Sequence, residues 1–126
     1  MPKPLLKGFT LVELLVVMAI IALLLTLAVP RYFNHLASSR DTILRQDLAV
    51  MRDAIDKYHG DRGRYPESLE ELVDARYLRA LPVDPITERS DTWQVVAPPA
   101  DDAGAVYDVR SGAPGTAVDG SPYAEW

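Results

Sequence analysis

The chain has 126 residues, carries 13 Lys and Arg against 18 Asp and Glu for a net charge of −5, and contains no Cys. That length limits it to one modest domain plus an anchor. The absence of Cys excludes disulfides, thiolate metal sites and a Cys nucleophile, and an acidic chain has no electrostatic drive toward nucleic acid.

The first element is an apolar run, Phe9 to Val29, preceded by Lys3 and Lys7. Its 21 residues would span about 31 Å as a helix, the thickness of a bilayer core. Basic residues before the run predict a cytoplasmic N-terminus. An ordinary secretory signal has a shorter apolar core and a small-x-small cleavage site; this run is too long and ends in "LAVPRYF". A plain membrane anchor fits the length but leaves Glu13 unexplained. A carboxylate at the centre of a membrane helix costs at least about 2.5–3.5 kcal/mol, so its position near the start of the run needs a reason.

The stretch Gly8-Phe9-Thr10-Leu11-Val12-Glu13, behind a short basic leader, closely resembles the class III signal of the type IV pilin and pseudopilin family. The resemblance implies that a prepilin peptidase removes residues 1–8 by cutting between Gly8 and Phe9 and then methylates the new N-terminus. Residues 9–29 would be the transmembrane and filament-core helix, and residues 30–126 a periplasmic globular domain. A cut at Gly8 would leave a cationic amine on Phe9, one helical turn from Glu13. In hydrocarbon a carboxylate beside that amine, on the same or an adjoining subunit, relieves two otherwise unpaired charges. Glu13 is therefore the expected assembly residue.

After Pro30, Leu44, Leu48, Met51, Ile55 and Tyr58 recur at spacings of 4, 3, 4 and 3, an apolar stripe on one helix face. Two heptads are too few for a coiled coil, so the stripe should bury against the chain's own globular part. Membrane run and stripe read as one helix, Phe9 to about His59, some 76 Å long. Pro30 should kink or loosen it, and Gly60 should cap it. Asp41 with Arg45, and Asp53 with Lys57, have the i,i+4 spacing of helix ion pairs.

Ser68 and Glu71 form a capping-box pattern for a short helix over 68–75. The two prolines of "LPVDP" forbid regular structure beyond it. "G-x-Y-P", "L-x-x-L" and "Y-L-x-x-L-P-x-D-P" follow the long helix in the order seen in type II secretion major pseudopilins, a second resemblance. Thr92–Ala97 and Ala105–Ser111 are rich in β-branched and aromatic residues and predict a hairpin, with room for a third short strand near Ile86 or the C-terminus. The fold class expected is α+β, type IV pilin-like, with a small antiparallel sheet across the second half of the long helix. Tyr123 and Trp126 should dock the tail.

Major pseudopilins of this family bind one calcium ion in the C-terminal loop. The resemblance points to Ser111, Asp119 and Ser121, with carbonyls near Val109, as its ligands here. Calcium takes six to eight oxygens, and Ala113-Pro114 stands where many members have an acidic residue. The alternative reading of Asp119-Gly120 is a simple turn.

His35 and His59 are too far apart for a zinc-hydrolase spacing and have no partner in sequence, so no enzyme is expected. The resemblance implies a structural subunit of a type II secretion pseudopilus: a helical homo-oligomer, anchored in the bacterial inner membrane before assembly, that pushes proteins through the outer membrane. Its partners would be further copies of itself, the prepilin peptidase, minor pseudopilins and the inner-membrane assembly platform, with no nucleic acid. A type IV pilus subunit is the alternative, and a monomeric anchored binding module a more distant one.

Overall fold

A computed structural model describes residues 8–126, and the basic leader with Lys3 and Lys7 lies outside the described residues. The chain divides into two compact units, one ending at His35 and one formed by Leu36–Trp126. Helix α1 covers Leu11–Arg62 and continues through Pro30. Thr10 starts it: the Thr10 Oγ1 accepts the Glu13 N–H at 3.1 Å, and the Thr10 carbonyl accepts that of Leu14 at 3.1 Å. This satisfies two N–H groups that a helix start otherwise leaves unpaired.

Among the described residues of the first unit nothing covers the apolar side chains. Every residue from Gly8 to His35 is exposed, with Phe9 at 86% and Leu27 at 70%. α1 is the one helix among the described residues long and apolar enough to cross a membrane.

The second unit has a core. Leu44, Leu48, Met51, Ile55 and Tyr58 are all buried, as the stripe predicts, and Ala54 joins them. They pack in one cluster with Leu69, Leu72, Leu78, Trp93, Val106, Val109, Ala113, Ala117 and Tyr123. Fully burying a Leu, Ile or Met contributes about 1.5–3 kcal/mol, so this face of α1 is the main source of the unit's stability.

Gly60 does not end α1. The helix runs on to Arg62, and Gly63, at φ +70°, takes the left-handed position with its N–H on the His59 carbonyl at 2.9 Å. A Gly inside a helix costs about 1 kcal/mol relative to Ala. The extra residues recover it through contacts: the Arg62 guanidinium lies 4.9 Å from the Tyr58 ring, and Asp61 accepts the Tyr77 hydroxyl at 2.7 Å.

Helix α2 is Leu69–Asp74, capped by Ser68, whose hydroxyl accepts the Glu71 N–H at 3.2 Å. The capping box is only half closed, because the Glu71 carboxylate reaches the Glu67 N–H at 2.7 Å instead of that of Ser68. α2 ends in a Schellman motif: Tyr77 N–H bonds the Leu72 carbonyl at 2.8 Å and Arg76 N–H that of Val73 at 3.1 Å. Arg76 occupies the left-handed position, φ +66°, where Gly is usual.

Strands β1 (Gln94–Val96) and β2 (Asp108–Arg110) pair antiparallel, with Val95 opposite Val109. Both are shorter than the sequence suggests. Pro98 and Pro99 cannot donate to a ladder, and Thr92 is drawn off by a hydroxyl contact with Thr87 at 2.8 Å. Ala105 and Val106 donate instead to the Pro66 carbonyl at 3.0 and 2.8 Å, while Tyr65 N–H bonds Ala103 O at 3.0 Å. Gly104, φ +108°, makes that approach possible, since a Cβ there would lie 2.2 Å from the Tyr65 carbonyl oxygen. Among the described residues no third strand forms; the tail contributes one isolated bridge, Thr116 to Pro122, and a 3-10 turn, Tyr123–Glu125.

Candidate functional site

The N-terminal segment presents Gly8 and Phe9 just before α1, both exposed, and Glu13 in its first turn. Thr10-Leu11-Val12-Glu13 has the T-x-x-E spacing of a capping box, and its Thr10 half is formed. Glu13 is the only acidic residue between Gly8 and Val29, and among the described residues no hydrogen bond or ion pair engages its carboxylate. Glu13 stands four positions after Phe9, which precedes the helix.

The C-terminal loop lies against α1 within the second unit. Ala117–Gly120 is a turn closed by a 3.0 Å bond from Gly120 N–H to Ala117 O, with Gly120 at φ +86°. Asp119 Oδ1 accepts the Ser121 N–H at 2.9 Å and the Ser121 hydroxyl at 2.5 Å. Asp119 Oδ2 accepts Arg45 Nη2 at 2.8 Å. The Ser121 hydroxyl in turn accepts Trp126 Nε1 at 2.8 Å, and the Arg45 guanidinium sits 4.3 Å from the Trp126 ring. The Ser121 and Arg45 bonds hold the Asp119 carboxyl below the usual carboxylate range. Tyr123 and Trp126 meet edge to face at 5.2 Å, so the tail docks as expected.

Asp119 and Ser121 are thus brought together, whereas Ser111 is engaged elsewhere. Its buried hydroxyl donates to Asp84 Oδ2 at 2.6 Å and accepts the Ala113 N–H at 3.1 Å. Asp84, the acid of "LPVDP", is fully buried. It also takes the Ile86 N–H at 2.8 Å on Oδ1, and its backbone bonds Arg89 and Glu88. Among the described residues no group of three or more His, Asp or Glu is placed to hold a metal.

The expected Asp41–Arg45 pair does not form. Asp41 is buried, accepting the Tyr123 hydroxyl at 2.6 Å and the Val118 N–H at 2.8 Å. Burial and the Asp41 carboxylate push the Tyr123 hydroxyl up to about 12. Both Asp41 and Arg45 face the tail, so each finds a partner more than 70 residues away rather than one turn along α1. Asp53–Lys57 does form, at 2.9 Å. Asp41, Arg45 and Asp84 are the polar residues that sequence reasoning left without these roles. A buried position on the stripe's own spacing, three before Leu44, was the available signal for Asp41.

A prepilin-type start on a long helix, followed by a small α+β unit, is the type IV pilin-like architecture. The family profile described as "Prokaryotic N-terminal methylation motif" matches residues 7–29. The type II secretion system core protein G of Pseudomonas aeruginosa is 32% identical over 108 residues, covering 73% of this chain and 74% of the relative. The Klebsiella pneumoniae protein of the same name is 33% identical over 95 residues, 63% of this chain and 68% of its own. The type IV major fimbrial protein FimA of Dichelobacter nodosus is 44% identical over 54 residues, 43% of this chain and 35% of the relative. No solved structure gives a significant match. The chain belongs to the type II secretion core protein G family, the major pseudopilins.

Proposed function

We propose that this chain is the structural subunit of a type II secretion pseudopilus. Prepilin peptidase cuts between Gly8 and Phe9 in the inner membrane and the Phe9 amine is methylated. The C-terminal unit stands in the periplasm, with the N-terminus cytoplasmic before processing. Subunits then leave the bilayer for a helical filament, in which Glu13 of one copy neutralises the Phe9 amine of another. Growth of that filament, with minor pseudopilins and an inner-membrane assembly platform as partners, drives protein export across the outer membrane. The chain performs no chemistry of its own.

The observation that carries this reading is the uncovered apolar segment of residues 9–29, helical from Leu11, holding one carboxylate, Glu13, four positions after Phe9. Such a surface is stable only in lipid or against other copies of itself. Mass spectrometry of the native protein tests it: the chain should begin at Phe9, and Gly8→Ala should retain the leader. An intact octapeptide on the native protein would overturn the proposal.

The 44% identity to a fimbrial protein over 54 residues supports a second reading, a type IV pilus subunit. Deletion in the native host separates the two: loss of exoprotein secretion with surface fibres intact favours the pseudopilus, and the reverse favours the pilus.

A further inference from the structure

We propose that in this chain the Arg45 guanidinium serves as the built-in cation of the C-terminal loop, so that the loop closes without calcium. The donor set carries the inference. Calcium requires six to eight oxygens, several of them charged. Between Ser111 and Ser121 the chain has one carboxylate, Asp119, and both its oxygens already accept protein donors: Ser121 on Oδ1 and Arg45 on Oδ2. The Ser121 hydroxyl accepts Trp126 Nε1, and the Ser121 and Ala117 carbonyls accept the Ala117 and Gly120 N–H groups at 2.8 and 3.0 Å. Ser111 is turned to the buried Asp84. A divalent ion would find Asp119 Oδ1 filled, would compete for the lone pairs the other bonds leave, and would sit beside a guanidinium whose charge repels it.

Arg45 is held for this role from two sides. Its planar head bonds Asp119 and lies over Trp126, an arrangement that suits guanidinium better than ammonium. One turn earlier on α1, Asp41 fixes the same loop through Val118 N–H and the Tyr123 hydroxyl. The loop therefore meets a carboxylate and a guanidinium presented by one helix face.

The test uses the full chain in detergent micelles, melted with 1 mM calcium chloride, with magnesium chloride and with EGTA, alongside calorimetric titration of calcium. Because it reads binding and loop stability on purified protein, its outcome is independent of the filament proposal. The melting temperature should be the same in all three conditions, with no calcium heat. In Arg45→Gln, the Ala117 and Ser121 amides should exchange hydrogen about three- to ten-fold faster, the scale set by one exposed ion pair and one cation–π contact. Arg45→Lys should restore only part of that protection. A rise in wild-type melting temperature with calcium, saturable binding of one equivalent, or unchanged amide exchange in Arg45→Gln would each overturn the inference.

Discussion

Glu71 joins α2 to α1, and its charge can be removed without altering its shape. Its Oε1 accepts the Tyr58 hydroxyl from α1 and Arg64 Nη2 at 2.9 Å, while Oε2 accepts the Glu67 N–H. The Tyr58 and Glu67 bonds, with Arg64 behind them, lower its carboxyl from 4.5 to about 2. Held at that value in a dry site, the carboxylate would contribute about 3 kcal/mol at neutral pH. A quarter of the side chain faces water, and screening reduces this to about 1–2 kcal/mol. A depressed carboxyl stabilises the fold above its unfolded value and ceases to do so as pH falls from 4.5 toward 2. Glu71→Gln should thus lower the melting temperature at pH 7 by about 5–15 °C for a unit of this size. The gap between variant and wild type should close progressively between pH 4.5 and 2. Thermal melts followed by circular dichroism in micelles at pH 7, 4 and 2 read this directly. Asp91 and Asp119, whose carboxyls are also lowered, are common to both proteins and cancel in the difference. A gap as wide at pH 2 as at pH 7, or none at pH 7, would refute the electrostatic account of this junction.

Leu48→Ala, at a site 1% exposed, should cost about 2–5 kcal/mol in denaturant unfolding. Arg76→Gly should raise stability by about 0.5–1 kcal/mol in the same assay, because it relieves a left-handed residue in the α2 Schellman motif. Gly104→Ala drives a Cβ to 2.2 Å from the Tyr65 carbonyl oxygen, so the chain should accumulate poorly in cells on immunoblots. Glu13→Gln should be processed at Gly8 like the wild type, yet yield few filaments by electron microscopy. Normal fibres from that variant would remove the ion-pair role assigned to Glu13.

What the sequence made legible is what obeys local rules. The apolar run, the 4-3-4-3 stripe and the Ser68 cap each depend on residues within a turn or two, and each appears as expected. The N-terminal motif is legible for a different reason: its signal is one contiguous stretch, residues 7–29, that needs no tertiary partner to be read. Failures cluster where a local rule met a distant competitor. Gly60 has the character of a helix stop, but contacts of Asp61 and Arg62 with Tyr77 and Tyr58 carry α1 past it. The strand at Ala105 has the right composition, but the carbonyl of Pro66 competes for its amides. Asp41 and Arg45 have ideal spacing for an ion pair, but a surface pair on a helix is worth only a few tenths of a kcal/mol. A buried carboxylate left without its Tyr123 and Val118 donors would cost more than that, so the distant partners win.

The same competition explains how one helix organises the unit. The apolar stripe of α1 is non-directional and would accept many arrangements of the chain laid over it. Polar groups on and beside the stripe remove that freedom by fixing the tail, β2 and α2. Asp41 holds Val118 and Tyr123, and Arg45 holds Asp119. Arg52 takes Asp108 at 2.8 Å and the Val109 carbonyl at 3.0 Å, setting β2. Tyr58 takes Glu71, setting α2. Read from Asp41 to Tyr58, the helix meets the tail, then β2, then α2, so the later chain is laid back along α1 in reverse order. A unit ordered in this way draws its hydrophobic stabilisation from the stripe and its uniqueness from the directional bonds of four residues, Asp41, Arg45, Arg52 and Tyr58. In the proposed pseudopilus a subunit drawn from the membrane by α1 would need both, because the tail, β2 and α2 are each bonded directly to that helix.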